Sequence, residues 1–427
     1  MAIADEKQTM TTSFWHPFAD MGAVSRSELV IERGEGIHVF DDQGRRYVDG
    51  TASLWYANLG HGRADVTRAV TAQMEKLAAY QTFGDFSNAP ANELCARLAA
   101  RAPMEDAKVF LASGGGDAID TAAKIVRRHW ILQGQPERVH ILSRTNGYHG
   151  THGFGTSIGG IEANTSNWGP LIPHASAVPF DSLPALEDAI LRVGPEHVAA
   201  FFCEPVIGAG GVHLPPDGYI EGVADLCAEH GILLVIDSVI CAFGRLGTWF
   251  GVERWPDVTP DLITFAKGVT SGYLPLGGVI ASGAVAAPFF GEPGGPMLRH
   301  GATYAGHPTC AAAALAVLDA YEAEDLIPRG QLLEEPLREA LAPLGAHPAV
   351  GEVRAGLGLL GAVELSADAL AADPGGVAKL AAGAREAGVL VRPLLKGVAV
   401  SPPLVIEEAQ LGELADAIRA GLDRVGT

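Results

Sequence analysis

Two charged residues sit where burial makes charge expensive. The apolar run Ile232-Leu-Leu-Val-Ile236 ends in Asp237, and the run Leu262-Ile-Thr-Phe-Ala266 ends in Lys267. A carboxylate directly after five buried residues is costly unless it is paired. Taken alone, Asp237 fits a helix cap or a salt bridge as well as it fits catalysis. Lys267 is the rarer placement, because an ammonium is hard to desolvate. Burial lowers the pKa of a lysine, and that suits it to Schiff-base chemistry.

A third segment supplies an anion seat. Val109-Phe-Leu-Ala112 leads into Ser113-Gly-Gly-Gly116-Asp117, and a helical pattern follows at once. Glycines permit close backbone approach, and the first amides of a helix point at an anion. Alone, such a cluster is usually an ordinary turn. It lacks the lysine of a P-loop, which speaks against a nucleotide. Together the three parts are what pyridoxal 5'-phosphate requires. A lysine holds the aldehyde, an acid keeps the ring nitrogen protonated, and backbone amides take the phosphate.

The elements that position these residues are legible in outline. From about Ala64, helical patterns alternate with short apolar strands at Val109–Ala112, Val139–Ser143, Val198–Glu204, Ile232–Asp237 and Leu262–Ala266. Intervening stretches such as Ala118–Trp130 and Gly218–Glu229 have helical periodicity. Apolar strands separated by helices imply an α/β fold, with a mostly parallel central sheet and helices on both faces. Ligands gather at the carboxyl ends of such strands. Gly36–Asp49 reads as a hairpin, Val350–Leu365 as further strands, and Leu411–Val425 as a closing helix. The expected organisation is a large domain over residues 61–325. A smaller α+β domain is then built from residues 1–60 and 326–427.

Composition sets the outer limits. The chain has 427 residues, 48% of them hydrophobic, and a formal charge of −20. That surface repels phosphate backbones and anionic lipid, so no nucleic-acid or membrane partner is expected. The five cysteines are scattered without C-x-x-C spacing, and several lie in apolar runs where cysteine acts as a small hydrophobe. Residues Met1 to His16 show no basic patch followed by an apolar stretch, and no run is long enough to span a bilayer. A cytoplasmic protein is expected.

Longer motifs carry a family resemblance. They are Asn146-Gly-Tyr148-His149-Gly, Glu204-Pro-Val-Ile-Gly-Ala209-Gly-Gly, Asp237-Ser-Val-Ile-Cys-Ala-Phe-Gly-Arg245, Ala266-Lys267-Gly-Val-Thr-Ser-Gly and His300-Gly-Ala-Thr303-Tyr-Ala-Gly-His307-Pro. In this order they resemble the class III aminotransferases over almost the whole chain. The resemblance implies fold type I of the pyridoxal-phosphate enzymes. It also implies that Lys267 forms the Schiff base and shuttles a proton, and that Asp237 pairs with the ring nitrogen. Val239 and Tyr148 would cover the two ring faces, with His149 beside Tyr148 and Glu204 near the polar edge of the ring. Gly115 and Gly116 would supply phosphate amides. Thr303 would reach the phosphate of the neighbouring subunit, which implies a homodimer. Three positions depart from the family pattern: Gly116 stands for a serine, Ser238 for a glutamate and Ala242 for a glycine.

Two positions bear on substrate. Arg392 falls where relatives carry an arginine that clamps a substrate carboxylate, although a surface salt bridge would also explain it. Ala209 stands where users of 2-oxoglutarate commonly have a glutamate. That choice resembles the ω-amine:pyruvate subgroup, as do His16-Pro17-Phe18 and Leu54-Trp55-Tyr56. Trp55 would then line the substrate pocket; core packing is the competing explanation. The expected reaction moves an amino group from a primary amine or ω-amino acid to pyruvate or a similar oxo acid. An aminomutase and a non-catalytic cofactor-binding relative are the alternatives.

Other signals are set aside. Gly356-Leu-Gly-Leu-Leu-Gly361 matches a dinucleotide fingerprint by letter but precedes a strand-like run. Gly155-Thr-Ser157-Ile-Gly159 matches a hydrolase elbow, yet no buried strand leads in and no helix is expected after it. His149 and His152 have no third ligand at a telling spacing, so no metal is expected.

Overall fold

The computed structural model describes residues 13–426. The first twelve residues, part of the stretch read above as lacking a leader, lie outside the described residues.

Seven strands form the central sheet, in the order Lys108–Ala112, Gly277–Ala281, Leu262–Phe265, Leu233–Asp237, Val198–Cys203, His140–Arg144, Ala175–Val178. Gly277–Ala281 runs antiparallel to both its neighbours, and the other pairings are parallel. Every residue of Val198–Cys203, Leu233–Asp237 and Leu262–Phe265 is buried, as continuous apolar runs require in a sheet covered on both faces. The helix Gly115–Leu132 buries Ala118, Ile119, Ala122, Ala123, Ile125, Val126 and Trp130, a stripe at helical spacing that packs on the sheet.

The strand Gly277–Ala281 was not among those expected, and two glycines lead it. Their lack of a side chain is what lets the strand in. A Cβ on Gly277 would lie 2.7 Å from the carbonyl carbon of Gly114.

The two ends of the chain share a four-stranded sheet, Ile31–Glu35, His38–Asp41, Arg46–Asp49 and Val389–Leu390. Its His38–Asp41 and Arg46–Asp49 strands form the expected hairpin. Asp41 stitches the turn by accepting the amides of Gln43 and Arg45 at 3.0 and 2.9 Å. A separate antiparallel sheet orders Val350–Ala355, Gly361–Leu365, Gly397–Val400 and Arg392–Pro393. Gly361 therefore opens a strand, which removes the dinucleotide reading of Gly356–Gly361. Ser157 lies inside a short helix, Gly153–Ile158, instead of on a turn leading into one, and its hydroxyl donates to the Gly153 carbonyl at 2.7 Å. Among the described residues no helix is long and apolar enough to cross a membrane.

Candidate active site

The carboxyl edge of the central sheet brings the strand-end residues together. Asp237 closes its strand in register with Thr264 of the next one. Its Oδ1 accepts the Thr264 hydroxyl at 3.1 Å and the Val239 amide at 3.1 Å, and its Oδ2 lies 2.8 Å from His149 Nδ1. Three partners satisfy a carboxylate that burial would otherwise leave orphaned.

Lys267 follows the adjacent strand and opens a short turn, Lys267–Val269, with a left-handed φ of 50°. That conformation costs a residue with a Cβ about 1–2 kcal/mol. The turn is held from behind by Tyr321, whose hydroxyl donates to the Gly268 carbonyl at 2.7 Å. Burial lowers the Lys267 pKa to about 8, against the pull of Asp237 and Glu204.

Both side chains line one cavity of about 240 Å³, together with Leu54, Gly115, Gly116, Tyr148, His149, Glu204, Val239 and Ile240. Glu204 is buried there and accepts the amides of Tyr148 and Gly208, each at 3.0 Å. Burial pushes its pKa up. Tyr148 is partly buried, which raises the pKa of its phenol. Gly115 and Gly116 open the Gly115–Leu132 helix, and no side chain caps that helix end.

The sequence-chosen residues do not all point where adjacency suggested. His149, expected beside Tyr148, is turned onto Asp237. Trp55, expected in the pocket, packs in an apolar group with Val206, Ile240 and Leu360. Its ring centroid lies 5.8 Å from Lys267 Nζ, and its indole N–H has no partner among the described residues. The residue on the cavity wall is its neighbour Leu54. The backbone is the reason: Ala52, Ser53 and Trp55 have φ of 45°, 60° and 60°, so helical phase cannot be read across them. Thr303 is exposed and does not line the cavity of its own chain.

Arg392 stands on the edge strand Arg392–Pro393 and faces a second, wider cleft of about 850 Å³. Leu54 lines both cavities and so stands between Arg392 and Lys267. Burial lowers the Arg392 pKa, with Tyr148 opposing. Among the described residues no hydrogen bond or ion pair engages its guanidinium. Sequence reasoning missed Leu54, Ile240 and Thr264. The hydroxyl of Thr264, the one polar residue inside an apolar strand, was the available signal.

The model of the class-III aminotransferase family matches residues 21–422. A putrescine–pyruvate aminotransferase of Pseudomonas aeruginosa is 36% identical, over 96% of this chain and 93% of its own. Among solved structures, an amine transaminase from an uncultivated Pseudomonas species, in its PLP-bound form, is 39% identical with a TM-score of 0.92. That match covers 98% of this chain and 100% of the other. An (S)-enantioselective omega-transaminase of Thermomicrobium roseum is 40% identical with a TM-score of 0.92, covering 96% of each chain.

Proposed function

The chain belongs to the class-III aminotransferases, and on that premise we propose that it moves the amino group of a primary amine or ω-amino acid to pyruvate or a similar oxo acid. The class uses pyridoxal 5'-phosphate. The cavity suits that group: it holds a buried amine lowered to about 8, a buried and fully partnered carboxylate, and an uncapped helix start. Lys267 would hold the aldehyde and Asp237 the ring nitrogen. Val239 and Tyr148 would flank the ring, Glu204 would sit near its polar edge, and the amides of Gly115 and Gly116 would take the phosphate. Bound there, the cofactor supplies a sink for the electron pair released at the amine-bearing carbon.

The protein's own part is to place charges and move one proton. His149 and Thr264 hold the Asp237 carboxylate in one orientation. Lys267, neutral in a useful fraction near pH 8, would take the proton from the amine-bearing carbon and deliver it to the cofactor carbon bonded to the same nitrogen, after which water would release the oxo product and leave the amino group behind. Leu54 and Ile240 keep the wall above it apolar.

Arg392 is the observation that carries the choice of acceptor. A half-buried guanidinium without a partner among the described residues is a ready clamp for a carboxylate. Ala209 offers no acid to compete for it. The likeness to a putrescine–pyruvate enzyme supports the same choice. Thr303, exposed and outside its own cavity, supports a homodimer in which it completes the neighbour's site.

The visible spectrum tests this reading. The cofactor band should bleach with a simple primary amine and return with pyruvate but not with 2-oxoglutarate. Return with 2-oxoglutarate alone would overturn the reading of Ala209. Lys267→Ala should keep its circular dichroism and lose transfer; substantial residual transfer would sink the assignment.

A further inference from the structure

We infer that His152 binds the cofactor phosphate, in the space that a side chain on residue 116 would otherwise fill. The inference rests on the reading of the Gly115–Leu132 helix start as the phosphate seat. His152 lines the same cavity as Gly115, Gly116 and Lys267. A Cβ built on Gly116 would meet its imidazole at 3.3 Å from Cε1, 3.3 Å from Nδ1 and 3.4 Å from Cδ2. The ring therefore already stands over the first turn of the helix, where a side chain at 116 would project.

Its position is set from two sides. Gly150, at φ 88°, lets the backbone press onto the helix start, and a Cβ there would lie 3.0 Å from the Gly116 Cα. Asp117 then takes the ring by one nitrogen, with Oδ1 3.3 Å from Nδ1, while its Oδ2 accepts the Ser113 amide at 3.2 Å. One carboxylate thus ties the glycine loop to the imidazole. Nε2 has no partner among the described residues, and the half-exposed ring lines the cavity, open to a ligand there. When the phosphate is bound, Nδ1 faces Asp117 and Nε2 faces a phosphate oxygen, to which an N–H at Nε2 would donate a charge-assisted hydrogen bond. The segment thereby serves the cofactor twice, through His149 on Asp237 and through His152 at the helix start.

The test compares the affinity of the apoenzyme for pyridoxal phosphate with that for pyridoxal, which has no phosphate. Quenching of tryptophan fluorescence gives both. His152→Ala should weaken pyridoxal phosphate by about tenfold, the worth of one such hydrogen bond, and leave pyridoxal unchanged. His152→Gln, which keeps an N–H donor, should recover part of the loss. Gly116→Ser should be poorly tolerated alone but should restore affinity in the His152→Ala background, where the ring no longer blocks the hydroxymethyl group. Equal weakening of both ligands by His152→Ala would overturn the proposal, leaving the ring a cavity wall only. If Gly116→Ser changes the preference for the phosphorylated ligand and His152→Ala does not, His152 is excluded while the phosphate seat stands. If neither substitution separates the two ligands, the seat itself is misplaced and the proposal falls with it.

Discussion

His149 Nδ1 lies 2.8 Å from Asp237 Oδ2, and both side chains are almost wholly shielded from water. The pair makes the orientation of the acid a property of the fold. Asp237→Asn keeps the shape but loses the charge that the ring nitrogen needs. We expect kcat to fall by about a hundredfold or more, the usual scale for a lost electrostatic partner of the reacting group. His149→Ala leaves the charge and loosens its aim, so a fall of about tenfold is expected, as for other residues that orient an active group. Steady-state kinetics on both variants decides the order; a near-normal Asp237→Asn would remove the acid from the mechanism.

Cofactor capture should report the Lys267 amine directly. The reactive form is neutral, and the pKa stands near 8 instead of the ordinary 10.5. Below that value the neutral fraction rises about tenfold per pH unit, and above it the rise stops. Stopped-flow reconstitution of the apoenzyme should therefore climb and level off near pH 8. A rate still climbing toward pH 10 would mean that the amine is not desolvated.

Arg392→Ala separates the two halves of the reaction. Bleaching of the cofactor by a primary amine without a carboxylate should proceed at nearly the original rate. The KM for pyruvate should rise by about ten- to a hundredfold, the worth of a charged hydrogen bond. An equal effect on both halves would place Arg392 in the architecture and not at the acceptor.

A stability prediction concerns Arg245. Its fully buried guanidinium donates to the carbonyls of Leu359 and Pro402 at 3.0 and 2.7 Å and to Asn58 Oδ1 at 2.8 Å, while burial lowers its pKa to about 10. These contacts join three distant parts of the chain. Arg245→Met strands all three acceptors and should cost about 3 kcal/mol or more, read as a lower Tm by calorimetry.

The chemistry was legible in the sequence where a polar residue interrupts a buried strand. Lys267 stands out because a lysine at the end of a buried strand is rare, and Asp237, ambiguous alone, gains meaning from the lysine and the glycine loop beside it. Residues on irregular backbone were harder. Trp55 packs in an apolar group while Leu54, given no role from the sequence, lines the cavity, because residues of positive φ at 52, 53 and 55 break the phase of a short helix. His149 sits next to Tyr148 in sequence, yet adjacency says nothing about direction, and Asp237 claims its ring from 88 residues away. His152 was considered only as a metal ligand, since its meaning depends on Gly116 and Gly150, whose contribution is the side chains they lack.

The pairing of Val389–Leu390 with Val48–Asp49 has a consequence for how specificity can change. Asp49 accepts the Ser53 amide at 2.6 Å, which sets the turn that carries Leu54, and Leu390 is two residues before Arg392. The Gly50 amide also donates to the Leu390 carbonyl at 3.0 Å. Leu54 and Arg392 are thus mounted on one two-strand joint, although more than three hundred residues of chain separate them. A substitution in either terminal segment that tilts this joint would reshape the doorway on both sides at once, with Lys267 and Asp237 untouched on their own sheet. The fold lets the choice of substrate drift while the reaction stays fixed.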